Sequence, residues 1–167
     1  MKNKLLLDFS VDKENSTVNV KREFAAGINT VWAAWTEPEQ LDQWWAPQPW
    51  KSRTKRMDFK VGGRRLYAMV GPEGEEHWAI ADYTSVTPKT NFQYMDAFCD
   101  SEGTINKEFP SSAWNVDFYE KNDSTLVEIT IKHNHLSDLE KIIELGFREG
   151  FLKAMEGLDE VLLLLKN

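Results

Sequence analysis

The chain reads as an α+β protein, with an antiparallel sheet of about six to seven strands packed on a long C-terminal helix. Two short helices follow the first core strand. Three observations predict this. Short runs in which apolar and polar residues alternate fill most of the chain, and Gly-, Pro- and Asp-bearing turns separate them. A block around residues 27–45 abandons that alternation for helical spacing. Near the end, Leu139, Ile143, Phe147, Phe151, Met155, Leu158 and Leu162 recur on one helical stripe. Strands joined by tight turns pair antiparallel, and the helix must bury its stripe against the sheet they form.

The elements follow in order. Leu5, Leu7, Phe9 and Val11 alternate with mostly polar neighbours; the turn formers DKENS come next, and Val18, Val20, Arg22 and Phe24 resume the alternation, giving a hairpin. Asn29 is placed to cap a short helix carrying Val31, Trp32 and Trp35. Thr36 and Glu39 have capping-box spacing for a second, and Pro38 falls in its first turn, where a missing N–H costs little. Pro47 disfavours the α conformation at Ala46, so this helix should stop near Trp45. Strands are expected at 51–59, 64–70, 77–86, 92–98, 114–119 and 126–133, the first two divided by Gly62-Gly63. From Ser137, an N-cap with Glu140 three residues on, one helix should run to Leu165, roughly 40 Å. Without repeats or a linker, 1–167 is expected to be a single domain.

Charge and composition narrow the function. The 167 residues carry a formal net charge of −7, against what phosphate neutralisation or adsorption to anionic membranes requires. No nucleic-acid partner is expected. Cys99 is the only cysteine, so no internal disulfide can form, as suits a reducing cytoplasm. The leucine run near the start is too short for a signal-peptide core, and Val161–Leu165 is far too short to span a membrane. A soluble cytoplasmic protein is expected.

VKREFAAGINTVWAAWTEPEQLDQWW resembles the opening motif of the START-like (SRPBCC) superfamily, in the branch named for the activator of the heat-shock-protein-90 ATPase. Its strand, Val-Trp helix, Thr-x-Pro-Glu turn and Trp-Trp pair are matched in order, followed by Phe-x-x-Gly-Gly at Phe59, Gly62 and Gly63. Gly27 departs from the pattern, standing where relatives usually carry proline. The resemblance implies a helix-grip fold, a curved sheet wrapped around the terminal helix with a cavity between them. Residues 1–16 then form an extra strand and turn outside the shared core. Superfamily members include lipid carriers, hormone receptors, cyclases, antibiotic-resistance proteins and chaperone co-factors, so fold alone does not decide function.

Candidate cavity walls come from strand parity and from the direction the resemblance gives it. Arg65, Tyr67 and Met69 share a face, as do Trp114, Val116 and Phe118, and Val127, Ile129, Ile131 and His133. Of these, Arg65, Tyr67, Met69, Trp114, Phe118, Ile129, Ile131 and His133 join Trp44, Trp45, Phe59, Tyr83, Phe147 and Phe151 as the ligand-binding set. Ordinary core is the competing reading for most of them. A buried Arg65 needs a carboxylate or a ligand anion; otherwise it snorkels to the rim. Trp44 and Trp45 are adjacent in a helix and point about 100° apart, so one should plug the core and the other face the cavity. Gly146, Gly150 and Gly157 fall on nearly one helical face, either for close packing or to leave room for a ligand.

Other chemistry finds little support. His133 and His135 lack a third ligand for zinc, so no metal or cofactor is expected. His77 is most simply a surface residue. Ser111 and Ser112 lie outside any nucleophile elbow, and Cys99 sits beside Asp100, whose charge raises a thiol pKa. Lys51, Arg53 and Lys55 make a basic strand face, either solvated or waiting for an acidic partner. The five apolar residues of VLLLL cannot all face one sheet; either the N-terminal strand covers the surplus or a second copy of the chain does. The leading expectation is binding of a small hydrophobic or amphipathic molecule. Its rivals are a chaperone-assisting interaction module and an enzyme, cyclase- or hydrolase-like, on a hydrophobic substrate.

Overall fold

The computed structural model describes residues 5–165. The first four residues, which open the segment weighed above as a leader, lie outside them, as do the last two. β1 (Leu7–Asp12) and β2 (Thr17–Phe24) form the N-terminal hairpin. α1 (Ile28–Thr36) and α2 (Pro38–Trp44) follow. Six strands come next: β3 (Lys51–Met57), β4 (Arg64–Val70), β5 (Glu76–Thr87), β6 (Asn91–Cys99), β7 (Ser112–Glu120) and β8 (Thr125–His133). α3 (Leu136–Glu144) and α4 (Phe147–Leu165) end the chain.

The eight strands form one curved antiparallel sheet in the order β1-β2-β8-β7-β6-β5-β4-β3. The chain crosses from β2 through α1 and α2 to the far edge at β3, then meanders back until β8 pairs with β2. This is the helix-grip fold, with β1 making eight strands rather than six or seven. On β2, β7 and β8 the burial alternates with period two, as a sheet with one covered face requires. Phe151, Ala154, Met155, Leu158, Val161 and Leu162 bury the inner side of α4.

Several helix boundaries differ from the sequence expectation. Gly27, not Asn29, is the N-cap of α1, without a side-chain bond. Thr36 belongs to the last turn of α1 and donates its hydroxyl to the Trp32 carbonyl at 2.7 Å, so the expected capping box does not form and Glu37 is the N-cap of α2. The single terminal helix is two. It breaks at Leu145-Gly146, where Gly146 takes φ +93°, a left-handed conformation that costs a side-chain-bearing residue about 1–2 kcal/mol. Gly146 therefore terminates a helix and does not belong to an interior stripe.

The surplus leucines are not covered by β1. Leu164 is 74% exposed, while Phe9 of β1 lies over Phe147 at the opposite end of α4, with ring centroids 6.3 Å apart.

Candidate functional site

Between the inner face of β4–β8 and the α3–α4 pair lies a cavity of about 220 Å³. Trp45 and Pro47, just past α2, close one side; Ile142, Phe147, Gly150 and Phe151 from the helices close another. The remaining wall is sheet, chiefly Tyr67 and Met69 of β4, Asp96 and Phe98 of β6, Trp114 of β7 and Ile131 of β8. Its aromatic side is a connected set. Trp114 meets Phe151 edge-on at 5.7 Å and Trp45 tilted at 5.8 Å, and Phe147 stacks on Phe151 at 5.3 Å. Such edge and offset contacts hold rings in fixed orientations.

The two adjacent tryptophans divide as helical geometry requires. Trp44 is 1% exposed and donates its indole N–H to the Ala34 carbonyl at 2.9 Å, tying α2 to α1. Trp45 faces the cavity and donates to the Tyr67 hydroxyl at 3.0 Å. Gly157 of α4 faces Trp44, where an added Cβ would sit 3.9 Å away. Gly150 lines the cavity, where an added Cβ would lie 3.7 Å from Pro47. Both are ordinary van der Waals distances, so close packing requires glycine at neither position, and Gly150 is the one that borders the cavity.

A polar row crosses the sheet at the cavity wall. Asp96 pairs in register with Ser112, and Ser112 with His133, all on inward positions of β6, β7 and β8. Asp96 Oδ1 accepts bonds from the Ser112 backbone N–H at 3.0 Å and hydroxyl at 2.5 Å; the hydroxyl oxygen in turn accepts from the Trp114 indole at 3.2 Å. Burial pushes the Asp96 carboxyl up to about 6, against the lowering effect of the Ser112 bonds and, after them, of Trp114. His133 is 4% exposed and its Nδ1 has no hydrogen-bond partner among the described residues. Burial holds its pKa below the usual imidazole value, with Asp138 opposing. Burial also raises the Tyr67 phenol.

Of the residues nominated from sequence, Trp45, Tyr67, Met69, Trp114, Ile131, His133, Phe147 and Phe151 meet at this cavity. Trp44, Phe59, Arg65, Tyr83, Phe118 and Ile129 do not border it. Phe59, Tyr83 and Phe118 pack around Trp32 and Phe92 in the core beneath α1, and Ile129 is 1% exposed within the same cluster. Arg65 neither snorkels nor waits for an anion. It is 3% exposed, donates to Ser52 at 2.9 Å, Thr54 at 3.2 Å and Asp42 at 3.4 Å, and lies 3.9 Å over the Tyr67 ring. Asp42 also accepts from Ser52 and Thr54, so α2 is bolted to β3 through this network. The space beside Arg65 is water-sized, about 20 Å³.

Asp96 and Ser112 are polar wall residues that the sequence pattern does not nominate. Asp96 shares strand parity with Phe92 and Tyr94, so an acid on an otherwise apolar face is the signal that could have found it. Ser112 falls outside the expected strand because Pro110 and Ser111 just before it read as loop and hide the start of β7.

Elsewhere, potential sites are occupied or incomplete. Arg53 pairs with Glu76 at 2.6 Å, and Lys55 with the Ser101 carbonyl at 2.8 Å; both flank Trp78. His77 is exposed beside Trp50. Burial first, then Asp100, raises the Cys99 thiol. Among the described residues no three His, Cys, Asp or Glu side chains gather as metal ligands, and no helix is long and apolar enough to cross a membrane.

Comparison with known proteins places this architecture. No curated protein matches the sequence. A solution structure of a protein from Arthrobacter aurescens superposes with TM-score 0.88 at 28% identity, covering 93% of this chain and 90% of that one. A crystal structure of a protein from Mycobacterium smegmatis gives 0.86 at 26% identity, covering 95% and 97%. A Nitrosomonas europaea protein gives 0.80 at 26%, covering 91% and 97%. The family described as "Activator of Hsp90 ATPase homolog 1-like protein" matches residues 25–163, which leaves only the N-terminal hairpin and the last few residues outside. The chain belongs to the family of activator of Hsp90 ATPase homolog 1-like proteins.

Proposed function

We propose that the chain binds a small hydrophobic or amphipathic molecule in the cavity between the sheet and the C-terminal helices. The observation that carries this is a space of about 220 Å³ walled by Trp45, Trp114, Phe147 and Phe151, with hydrogen-bonding groups confined to one side. A void of ~150 Å³ in an apolar core is enough to take up benzene, so the space suits a ligand of one or two rings. Mostly apolar walls with a few placed polar groups are the usual composition of small-molecule sites.

A chaperone-assisting role is the second reading, and the family's name supports it. The basic face of β3 that would meet an acidic partner is largely engaged within the chain by Glu76 and Ser101. The ligand reading is therefore preferred. Its test is native mass spectrometry of the protein purified under gentle conditions, followed by organic extraction and identification of what is released. A stoichiometric small molecule in wild type that is lost in Gly150→Leu, whose side chain would enter the cavity, supports the reading. A ligand retained equally by that variant, or no uptake of any ring compound on soaking, would sink it.

A further inference from the structure

We propose that the cavity selects a small aromatic amine, seating the protonated nitrogen on Asp96 and the ring among Trp45, Trp114 and Phe151. This rests on the cavity being a ligand site, and it adds the charge and class of the occupant.

The argument starts from charge. Asp96 is a partly buried carboxylate on the cavity wall with no cation against it; the ion pairs among the described residues use other groups. Arg65, the buried cation on the same face, is already engaged by Asp42, Ser52 and Thr54. Ser112 bonds to Asp96 Oδ1, and the Trp114 indole is the other donor acting on the carboxyl; among the described residues no cation does so, and Asp96 lines the cavity. A carboxylate held partly out of water with spare acceptor capacity costs free energy in the empty protein. A ligand bearing N–H donors and a positive charge relieves that cost; a ligand carboxylate would add to it.

The surroundings agree. His133 stands in the same row with an unpartnered Nδ1, and burial favours its neutral form, so it brings no competing positive charge. Tyr67 and Tyr94, the other titratable groups near Asp96, stay neutral because burial raises both. Ile142, Phe147, Gly150 and Phe151, which face the row from the helices, carry no charge. The cavity thus holds a single negative charge above the Asp96 pKa. Aromatic faces around it add a cation–π attraction that favours the same sign of ligand.

Titration calorimetry at about pH 7.5, where carboxylates are ionised and alkylamines protonated, tests this with three probes of one shape: 2-phenylethylamine, 2-phenylethanol and 3-phenylpropionate. Wild type should bind the amine roughly tenfold or more tighter than the alcohol, the range expected for a hydrogen bond to a charged group, and the acid weakest. In Asp96→Asn, whose amide oxygen can still accept from Ser112, amine and alcohol should bind alike. The inference is overturned if wild type binds the alcohol or the acid as tightly as the amine, or if the variant keeps the preference. Should the variant not fold, the wild-type series decides by itself. Binding of the alcohol without amine preference would overturn this inference and leave the cavity reading standing; binding of none of the three would remove both.

Discussion

Asp96 and Arg65 are two charges on one inner face with opposite fates. Arg65 is compensated inside the protein by Asp42 and two hydroxyls, so its burial serves to hold α2 on β3. Asp96 is compensated only by neutral donors, chiefly those of Ser112, and its carboxyl is raised to about 6. The sign of the consequence follows from linkage. The folded pKa exceeds the unfolded value of about 3.8, so the folded protein binds the proton more tightly. The stability this contributes is complete below about pH 4 and is lost as pH rises through 6. The gap between the folded and unfolded values corresponds to about 2–3 kcal/mol. Asp96→Asn, which cannot ionise, should therefore match wild type near pH 4 and exceed it by about 2 kcal/mol near pH 7.5. Urea denaturation of the two proteins at both pH values measures this. Taking the difference between them cancels Glu23 and Asp100, whose lowered pKa values give the opposite slope. A variant that stabilises the empty protein while abolishing amine preference would be the familiar trade of stability against a functional charge.

Individual elements differ in how openly the sequence announces them. Strands β2, β7 and β8 are legible because each buries one face, which forces period-two alternation into the residues themselves, whereas β4 buries Arg65 to Ala68 in succession. The division of Trp44 from Trp45 is legible for a similar reason, since helical rotation sends neighbours to different sides. The break between α3 and α4 is not. Leu139, Ile143, Phe147 and Phe151 continue at helical spacing across Gly146, and spacing alone cannot distinguish a helix interior from two helices sharing a core face. Nor can it reveal that Thr36 bonds back into α1 and leaves α2 to Glu37. Of the residues nominated by strand parity, Arg65, Phe118 and Ile129 lie off the cavity because parity gives the inward face but not how far along that face the cavity extends. The two glycines flanking the start of α4 now make a paired prediction of opposite sign. Gly146 holds φ +93°, and an added Cβ would meet nothing, so Gly146→Ala should cost about 1–2 kcal/mol through backbone strain alone. Gly150 bonds to the Gly146 carbonyl within α4 at 3.0 Å and has ordinary van der Waals room, so Gly150→Ala should gain up to ~1 kcal/mol. Chemical denaturation of both variants, side by side, gives the signs; the same sign for both would contradict the assigned roles.

For the molecule as a whole, the decisive feature is that one apolar cluster joins α1, α2 and α4 to β2 and to β5–β8. Phe24, Trp35, Trp44, Val116, Ile129 and Leu158 all belong to it. Arg22 of β2 also pairs with Asp159 of α4, linking the second strand to the last helix across the sheet. With the main core shared among elements from both ends of the chain, no half keeps a core after the other melts. Unfolding should therefore be a single transition, with tryptophan fluorescence and far-ultraviolet circular dichroism tracing the same curve. The cavity is enclosed by Trp45, by sheet and by both terminal helices, so a ligand there binds only the assembled fold. Its binding energy then adds to global stability as RT ln(1 + [L]/Kd), about 2.7 kcal/mol at a hundredfold excess over Kd. For a chain of this size that corresponds to roughly 5–10 °C in the midpoint of melting. Both probes should shift together by that amount with 2-phenylethylamine. A ligand-induced shift in fluorescence without one in circular dichroism would mean that the cavity end unfolds apart from the rest, and that the terminal helices are a separable unit rather than the grip that closes the site.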